Sequence, residues 1–346
     1  MTEEKRLMKL NGGREIGVGQ GPYVVAEVNS SHGGSVETAK RMIEAAAECG
    51  CDCVKFQSWS AESLYSKTYY SENPIARRFV TKFSLPEENL KELSAYCREC
   101  GIAFSSTPYA YREVDFLVQE CEAPFVKVAS MDLNYYDFLD YIAHTGTPVF
   151  LSTGMGDMDE IRRAADVIRR TGNQNLCLLH CVSLYPPELS SINLNNITGL
   201  RREFPECPIG FSDHSSGTEL ACAAVALGAC VIEKHLTLDK NKIGMDNQMA
   251  MEPEELKHLV QRCHNVYQAL GAVERTVSEA EFAQREKMRR SVVYTRDIRA
   301  GEVLRREDLD AKRPGTGIPP ERLEQFVGSV LKRNVEADTL ALETDV

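Results

Sequence analysis

The chain has 346 residues, 43% of them hydrophobic, which suits one barrel of roughly 250 residues plus a small second module. A formal net charge of -11 and a pI near 5.3 exclude the broadly basic surface that nucleic acid or an anionic membrane would require. The N-terminus lacks a signal-peptide core, no run approaches about 18 apolar residues, and the 12 cysteines read as reduced thiols of a cytoplasmic protein.

Along the chain, an N-terminal hairpin-like segment precedes eight strand candidates. These are Tyr23–Val28, Cys53–Gln57, Ile102–Ser106, Phe125–Ala129, Pro148–Ser152, Leu176–Cys181, Pro208–Phe211 and Cys230–His235. Amphipathic stretches separate them. Ser35–Cys49 carries Val36, Ala39, Met42, Ile43 and Ala46 at the spacing of one helix face. Pro86–Glu99, Asp157–Arg170, Gly217–Leu227 and Pro253–Leu270 behave likewise. Cys97-Arg-Glu-Cys100 is the single CxxC and reads as ordinary thiols near a helix end.

Eight consecutive β/α units predict a parallel (β/α)₈ barrel over residues 1–272. The alternative is an open doubly wound sheet, which usually shows GxGxxG after strand one. Here that place holds Asn29-Ser30-Ser31-His32-Gly33-Gly34. Residues 273–289 read as a polar, partly helical linker, and 290–346 as a small β-rich module. The module carries a faint repeat, Arg296-Asp-Ile-Arg-Ala-Gly-Glu-Val-Leu against Arg333-Asn-Val-Glu-Ala-Asp-Thr-Leu-Ala, 37 residues later. Between them lies Lys312-Arg-Pro-Gly-Thr-Gly-Ile-Pro-Pro320. So small a core is expected to pack on the barrel or on a second subunit.

Barrel enzymes carry their chemistry at the C-terminal strand ends. Here those ends hold Glu27; Lys55 and Gln57; Ser105, Ser106 and Thr107; Lys127 and Ser130; Ser152 and Thr153; His180 and Ser183; Ser212, Asp213 and His214; Glu233 and His235. Buried charges on this scale need partners or a ligand. Lys55 and Lys127 sit in apolar strands. With Thr107, Ser130, Ser152 and Ser212 they suit a phosphate and a carboxylate together; structural ion pairs or a Schiff-base lysine are the other readings. His214 and His235 end neighbouring strands, where their rings can share a divalent ion or serve only as hydrogen-bonded strand ends. Asp246, in the loop after the last strand, is a candidate for sugar hydroxyls or a turn-former, and Gly154-Met155-Gly156 lets backbone approach an anion.

These residues also carry a likeness. Ala26-Glu27 with His32-Gly33-Gly34, Val54-Lys55-Phe56-Gln57, Ser106-Thr107-Pro108, Lys127-Val-Ala-Ser130, Ser152-Thr-Gly-Met155, His180-Cys-Val-Ser183 with Tyr185-Pro186, Phe211-Ser-Asp-His214, Glu233-Lys-His235, Gly244-x-Asp246 and Lys312-Arg-Pro-Gly-Thr-Gly317 follow in order. From about residue 23 onward the chain resembles the bacterial sialic acid synthase family, which includes N-acetylneuraminate, legionaminate and pseudaminate synthases. Its tail resembles that family's SAF, or antifreeze-like, domain.

The resemblance implies a TIM barrel, a domain-swapped homodimer, and condensation of phosphoenolpyruvate with an aldose such as N-acetylmannosamine. It implies Mn²⁺ on His214 and His235, with Mg²⁺ or Co²⁺ as substitutes. Lys55, Thr107, Lys127, Ser130, Ser183 and Ser212 would hold phosphoenolpyruvate. Glu27, Gln57, Tyr185 and Asp246 would face the sugar, and Arg313 of the partner subunit would reach its acyl-amino end. Glu27 or Glu233 would orient water. Three places depart from the family pattern: Asn29 for Gly, Ser31-His32 for Asn-His, and Gly244-Met245-Asp246 for Gly-Pro-Asp. All touch the sugar side and bear on which acceptor is used. Another phosphoenolpyruvate-dependent 3-deoxy-sugar-acid synthase, and a non-catalytic sugar-acid-binding coat or assembly protein, are the rival expectations.

Overall fold

A computed structural model describes residues 7–242 and 244–346. Residues 1–6, part of the segment read above as carrying no leader, lie outside the described residues. The chain divides into two compact units, Met1–Gly271 and Ala272–Val346.

In the first unit, β1 (Leu7–Lys9) and β2 (Glu15–Gly17) form an antiparallel hairpin. Eight parallel strands follow: β3 (Tyr23–Glu27), β4 (Cys53–Gln57), β5 (Ala103–Thr107), β6 (Val126–Val128), β7 (Val149–Ser152), β8 (Leu176–Cys181), β9 (Ile209–Asp213) and β10 (Val231–His235). Their order, β5-β4-β3-β10-β9-β8-β7-β6, brings the two ends of the sheet round into a nearly closed barrel. No backbone ladder joins β5 to β6 among the described residues. A side chain bridges that seam instead: the Ser105 hydroxyl donates to the Phe125 carbonyl at 2.8 Å.

Alternation along these strands explains what the barrel holds. One set of residues, including Val24, Ala26, Val54, Phe56, Val126, Val128 and Ile232, packs outward against the helices. The other set turns inward: Tyr23, Val25, Cys53, Phe125, Phe150, Cys177, Leu179 and Val231 fill the interior, and Met8, Leu10 and Ile16 of the hairpin segment plug its lower end. The next inward positions up each strand are two residues on. They are Glu27, Lys55, Ser105, Lys127, Ser152, Cys181, Ser212 and Glu233, so the interior changes from apolar to largely polar and charged within one layer. Lys234 and Asp213, one residue off that phase, pair with each other at 2.7 Å and are fully buried.

The strands foreseen from sequence match to within one or two residues at their ends. Helices over Val36–Glu48, Glu87–Glu99, Met158–Arg170, Glu219–Ala226 and Pro253–Leu270 also match. Periodicity missed Tyr111–Gln119, Tyr136–His144 and Asn195–Glu203. It also missed three short helices within residues 61–83, whose aromatic satellite core of Trp59, Tyr70, Val80 and Phe83 is too small to mark a period. No described helix is long and apolar enough to cross a membrane.

The second unit opens with a helix, Glu279–Met288, followed by β11 (Ser291–Tyr294) paired antiparallel with β12 (Leu309–Lys312). Val292, Tyr294, Ile298, Leu304, Leu309, Phe326, Leu331 and Val335 make its core. The 37-residue repeat is built into the fold. Equivalent positions Ile298 and Val335 pair with each other across an antiparallel bridge. Arg296 Nε donates to Asp308 at 2.7 Å, and Arg333 Nε to Asp345 at 2.6 Å. The Ala300 amide donates to Asn334 at 2.9 Å, and the equivalent Ala337 amide to Asp297 at 2.7 Å. Gly301 and Asp338, again equivalent, both turn through positive φ.

Candidate active site

A cavity of about 400 Å³ opens at the C-terminal end of the barrel, lined by residues from every barrel strand or the loop that follows it. One side of it is a buried layer of charged groups. The Lys55 ammonium sits against the Glu27 carboxylate, lies 3.5 Å from Glu233 and donates to Thr107 at 3.2 Å. Lys127 donates to Ser152 at 2.7 Å and lies 4.0 Å from Glu233. The Ser212 hydroxyl donates to Glu233 at 3.0 Å. Two ammoniums and two carboxylates therefore share one dry layer.

The two carboxylates are driven apart. Burial pushes Glu27 up to about 7; Lys55 opposes the rise and Glu233 adds to it. Burial also raises Glu233, but Lys127, Lys55 and the Ser212 hydroxyl outweigh it and hold the group below the ordinary range. Burial lowers Lys127, whereas Glu233 and Glu27 overcome burial at Lys55 and raise it. Near neutral pH, Glu27 is the group of this layer poised to exchange a proton.

Above Lys127 the wall becomes a cradle. The Gly154 amide donates to the Ser130 hydroxyl at 3.1 Å. A Cβ built on Gly154 would lie 2.4 Å from Ser183 Oγ and 2.7 Å from Ser130 Oγ. Glycine is needed here because two hydroxyls and a backbone N–H converge where a side chain would stand.

Across the cavity stand two imidazoles, with the Asp246 carboxylate 3.7 Å from His235 Nδ1. The rings of His214 and His235 stand 5.3 Å apart, with Tyr185 4.1 Å from His214. Nδ1 of His214 contacts the Val182 carbonyl at 2.9 Å. A carbonyl only accepts, so that nitrogen carries the proton and Nε2 keeps its lone pair. Burial lowers both imidazoles, and at His235 the neighbouring His214 lowers it further. Neutral nitrogens with one fixed tautomer are the donor chemistry a borderline divalent ion takes. No group of three or more His, Cys, Asp or Glu side chains converges on an ion among the described residues. His214 and His235 are the two residues here that would hold such an ion.

A profile of the NeuB family matches residues 42–275, and one of the SAF domain matches 289–346. The chain belongs to the NeuB family. It is 37% identical to the N,N'-diacetyllegionaminic acid synthase of Campylobacter jejuni over 92% of this chain and 98% of that one. It is 35% identical to the human N-acetylneuraminate-9-phosphate synthase over 97% and 96%. The crystal structure of an N-acetylneuraminic acid synthetase from Leptospira borgpetersenii superposes with a TM-score of 0.75 at 31% identity, covering 81% of this chain and 95% of that one. The barrel and the C-terminal SAF domain expected from sequence are those of this NeuB family member.

Within the barrel, Glu27, Lys55, Gln57, Thr107, Lys127, Ser130, Ser152, Ser183, Tyr185, Ser212, His214, Glu233, His235 and Asp246 all line the one cavity. Arg313 belongs to the second unit and is exposed there. His180 turns away: its Nε2 contacts the Ile192 carbonyl at 2.7 Å and its ring stacks on Phe211.

Sequence reasoning missed Trp59 and Tyr109. Both donate to the Gln57 side-chain carbonyl at 2.9 Å, which turns the Gln57 amide toward Glu27 at 3.2 Å. Tyr109 stands two residues past Thr107, close enough to the strand end to have been included. Asn29 was noted only as a departure. It lies at φ 44, a conformation asparagine tolerates, and its amide Nδ2 donates to Asp246.

Proposed function

We propose that this protein condenses phosphoenolpyruvate with an open-chain N-acylated hexosamine such as N-acetylmannosamine, releasing phosphate and forming a nonulosonic, sialic-type acid. One observation carries the proposal: two buried lysines with a serine-lined cradle face two neutral imidazoles across a single barrel mouth. That arrangement suits a small dianion on one side and a polarised aldehyde on the other. The names of the relatives point the same way.

Lys55 and Lys127 would balance the phosphate and carboxylate, with Thr107, Ser130, Ser152, Ser183 and Ser212 supplying hydroxyls. Gln57, Tyr185 and Asp246 would position the sugar. His214 and His235 would hold a divalent ion, Mn²⁺ first, with Mg²⁺ or Co²⁺ as substitutes; bound there, the ion supplies Lewis-acid polarisation of the aldehyde. The methylene carbon of phosphoenolpyruvate forms the new C–C bond to the aldehyde carbon, and the aldehyde oxygen takes a proton. Positive charge then develops at the enol carbon, beside Glu233, which its lysines keep ionised. Water adds at that carbon and loses a proton, for which Glu27 is the poised acceptor. The added hydroxyl then becomes the keto carbonyl as the C–O bond to phosphate breaks, its proton leaving with inorganic phosphate, which departs with the bridging oxygen. The functional unit is a domain-swapped homodimer in a cytoplasm, with Arg313 of the partner subunit completing the sugar pocket.

The experiment is phosphate release from bridge-labelled ¹⁸O-phosphoenolpyruvate with an acceptor panel, with and without Mn²⁺. Label leaving in phosphate is expected. Label retained in the sugar acid overturns the C–O cleavage step, and no release with any acceptor overturns the proposed reaction.

A further inference from the structure

We infer that Asn29 determines acceptor specificity by accepting a hydrogen bond from the substituent next to the acceptor's carbonyl, an inference that rests on the synthase reaction proposed above. Asn29 lies just past β3 in the cavity wall and is only 5% exposed. Its backbone N–H donates to Glu27 at 2.7 Å, and its side-chain Nδ2 donates to the Asp246 carboxylate. The amide orientation follows from that second contact, since flipping the amide would set its oxygen against a carboxylate oxygen. What is left is Oδ1, a buried acceptor that finds no donor among the described residues. Buried polar atoms in folded proteins are nearly always satisfied, and one in a binding cavity is satisfied by what binds there.

Its position selects the part of the substrate it meets. Asp246 Oδ2, which Asn29 holds, is 3.7 Å from His235 Nδ1. Asn29 Oδ1 therefore belongs to the imidazole side of the cavity. An aldose with its carbonyl at the imidazoles presents the substituent on its second carbon to this oxygen. A hydroxyl or an acylamino N–H can donate; a bare methylene cannot.

Asn29 can be removed without releasing the loop after β10. The Ser30 hydroxyl accepts from the Met245 amide at 2.9 Å, and the Ser31 hydroxyl donates to Asn247 at 2.7 Å. Glycine also accepts φ 44 without strain. The test compares the parent with Asn29→Gly, as full-length Mn²⁺-loaded protein, on N-acetylmannosamine, mannose and 2-deoxyglucose.

The variant is expected to lose about tenfold to a hundredfold in kcat/KM on N-acetylmannosamine or mannose, and less than about threefold on 2-deoxyglucose, with the KM for phosphoenolpyruvate unchanged. The comparison is a ratio within each enzyme, so a smaller folded fraction cancels. Equal losses on all three acceptors would make Asn29 a support for Asp246 and overturn the inference. If the parent releases no phosphate with any acceptor, the synthase reaction fails, and calorimetric binding of the same three sugars decides Asn29 alone. Loss of binding confined to the donor-bearing sugars upholds its role; equal binding of all three by parent and variant overturns it.

Discussion

The two sides of the cavity are built on opposite principles. The charged side is closed on itself: Lys55, Lys127, Glu27 and Glu233 neutralise one another. The imidazole side is looser, with two neutral rings, an Asp246 carboxylate engaged by Asn29 and an unmatched Asn29 oxygen. A charged layer in a dry barrel cannot stand without internal counter-charges. Two neutral imidazoles can. Mutations on the first side should therefore cost folding and activity together, and on the second activity alone.

The largest effect is expected at Lys55. Lys55→Met leaves Glu27 and Glu233 facing each other in the dry layer. It should cost about 3–5 kcal/mol in chemical denaturation and at least about a thousandfold in turnover. Unchanged stability would erase the contrast between the two sides. His235→Ala tests the other side. Turnover should fall at least about a hundredfold and lose its Mn²⁺ dependence, while the denaturation midpoint stays near that of the parent. Equal turnover would remove His235 from the proposed metal site.

A smaller effect is expected at the cradle. Gly154→Ala places a methyl group against Ser130 and Ser183 and should weaken phosphoenolpyruvate about tenfold in a binding titration, with acceptor KM little changed. A loss confined to the acceptor would move the anion elsewhere. The smallest effect is on pH. Below about 7 Glu27 is protonated and frees Lys55 for an incoming anion; above it Glu27 ionises and competes. Phosphoenolpyruvate affinity should fall a few-fold as pH rises from 6 to 8. Glu27→Gln should flatten that slope, and comparing the two proteins cancels the ligand's own titration.

Much of this was legible in the sequence because a parallel barrel writes a simple code. Each strand is an apolar run whose last inward residue faces the mouth, so Lys55, Lys127, Glu233 and His235 announce themselves by being polar where the run should continue. What the code does not carry is pairing between strands. Nothing local to Lys55 says that it will be held by Glu27 and Glu233 rather than left bare. Tyr109 and Trp59 were invisible for a similar reason: an aromatic residue past a strand end reads as core until its hydroxyl or indole N–H is seen on Gln57. Asn29 stood out only because it replaced a glycine, and its meaning came from the Asp246 contact across 217 residues of sequence.

The repeat in the second unit has a different consequence. Ile298 against Val335, Arg296 with Asp308 beside Arg333 with Asp345, and the two exchanged amide bonds to Asn334 and Asp297 are one set of contacts made twice. This is the geometry of an isologous dimer written into a single polypeptide, as a tandem duplication of one self-complementary ancestor would leave it. The reciprocal bonds relate the two halves by a local pseudo-two-fold, so each half presents to the other the surface it receives. A substitution at one position and at its equivalent 37 residues on should therefore cost the module similar stability in chemical denaturation.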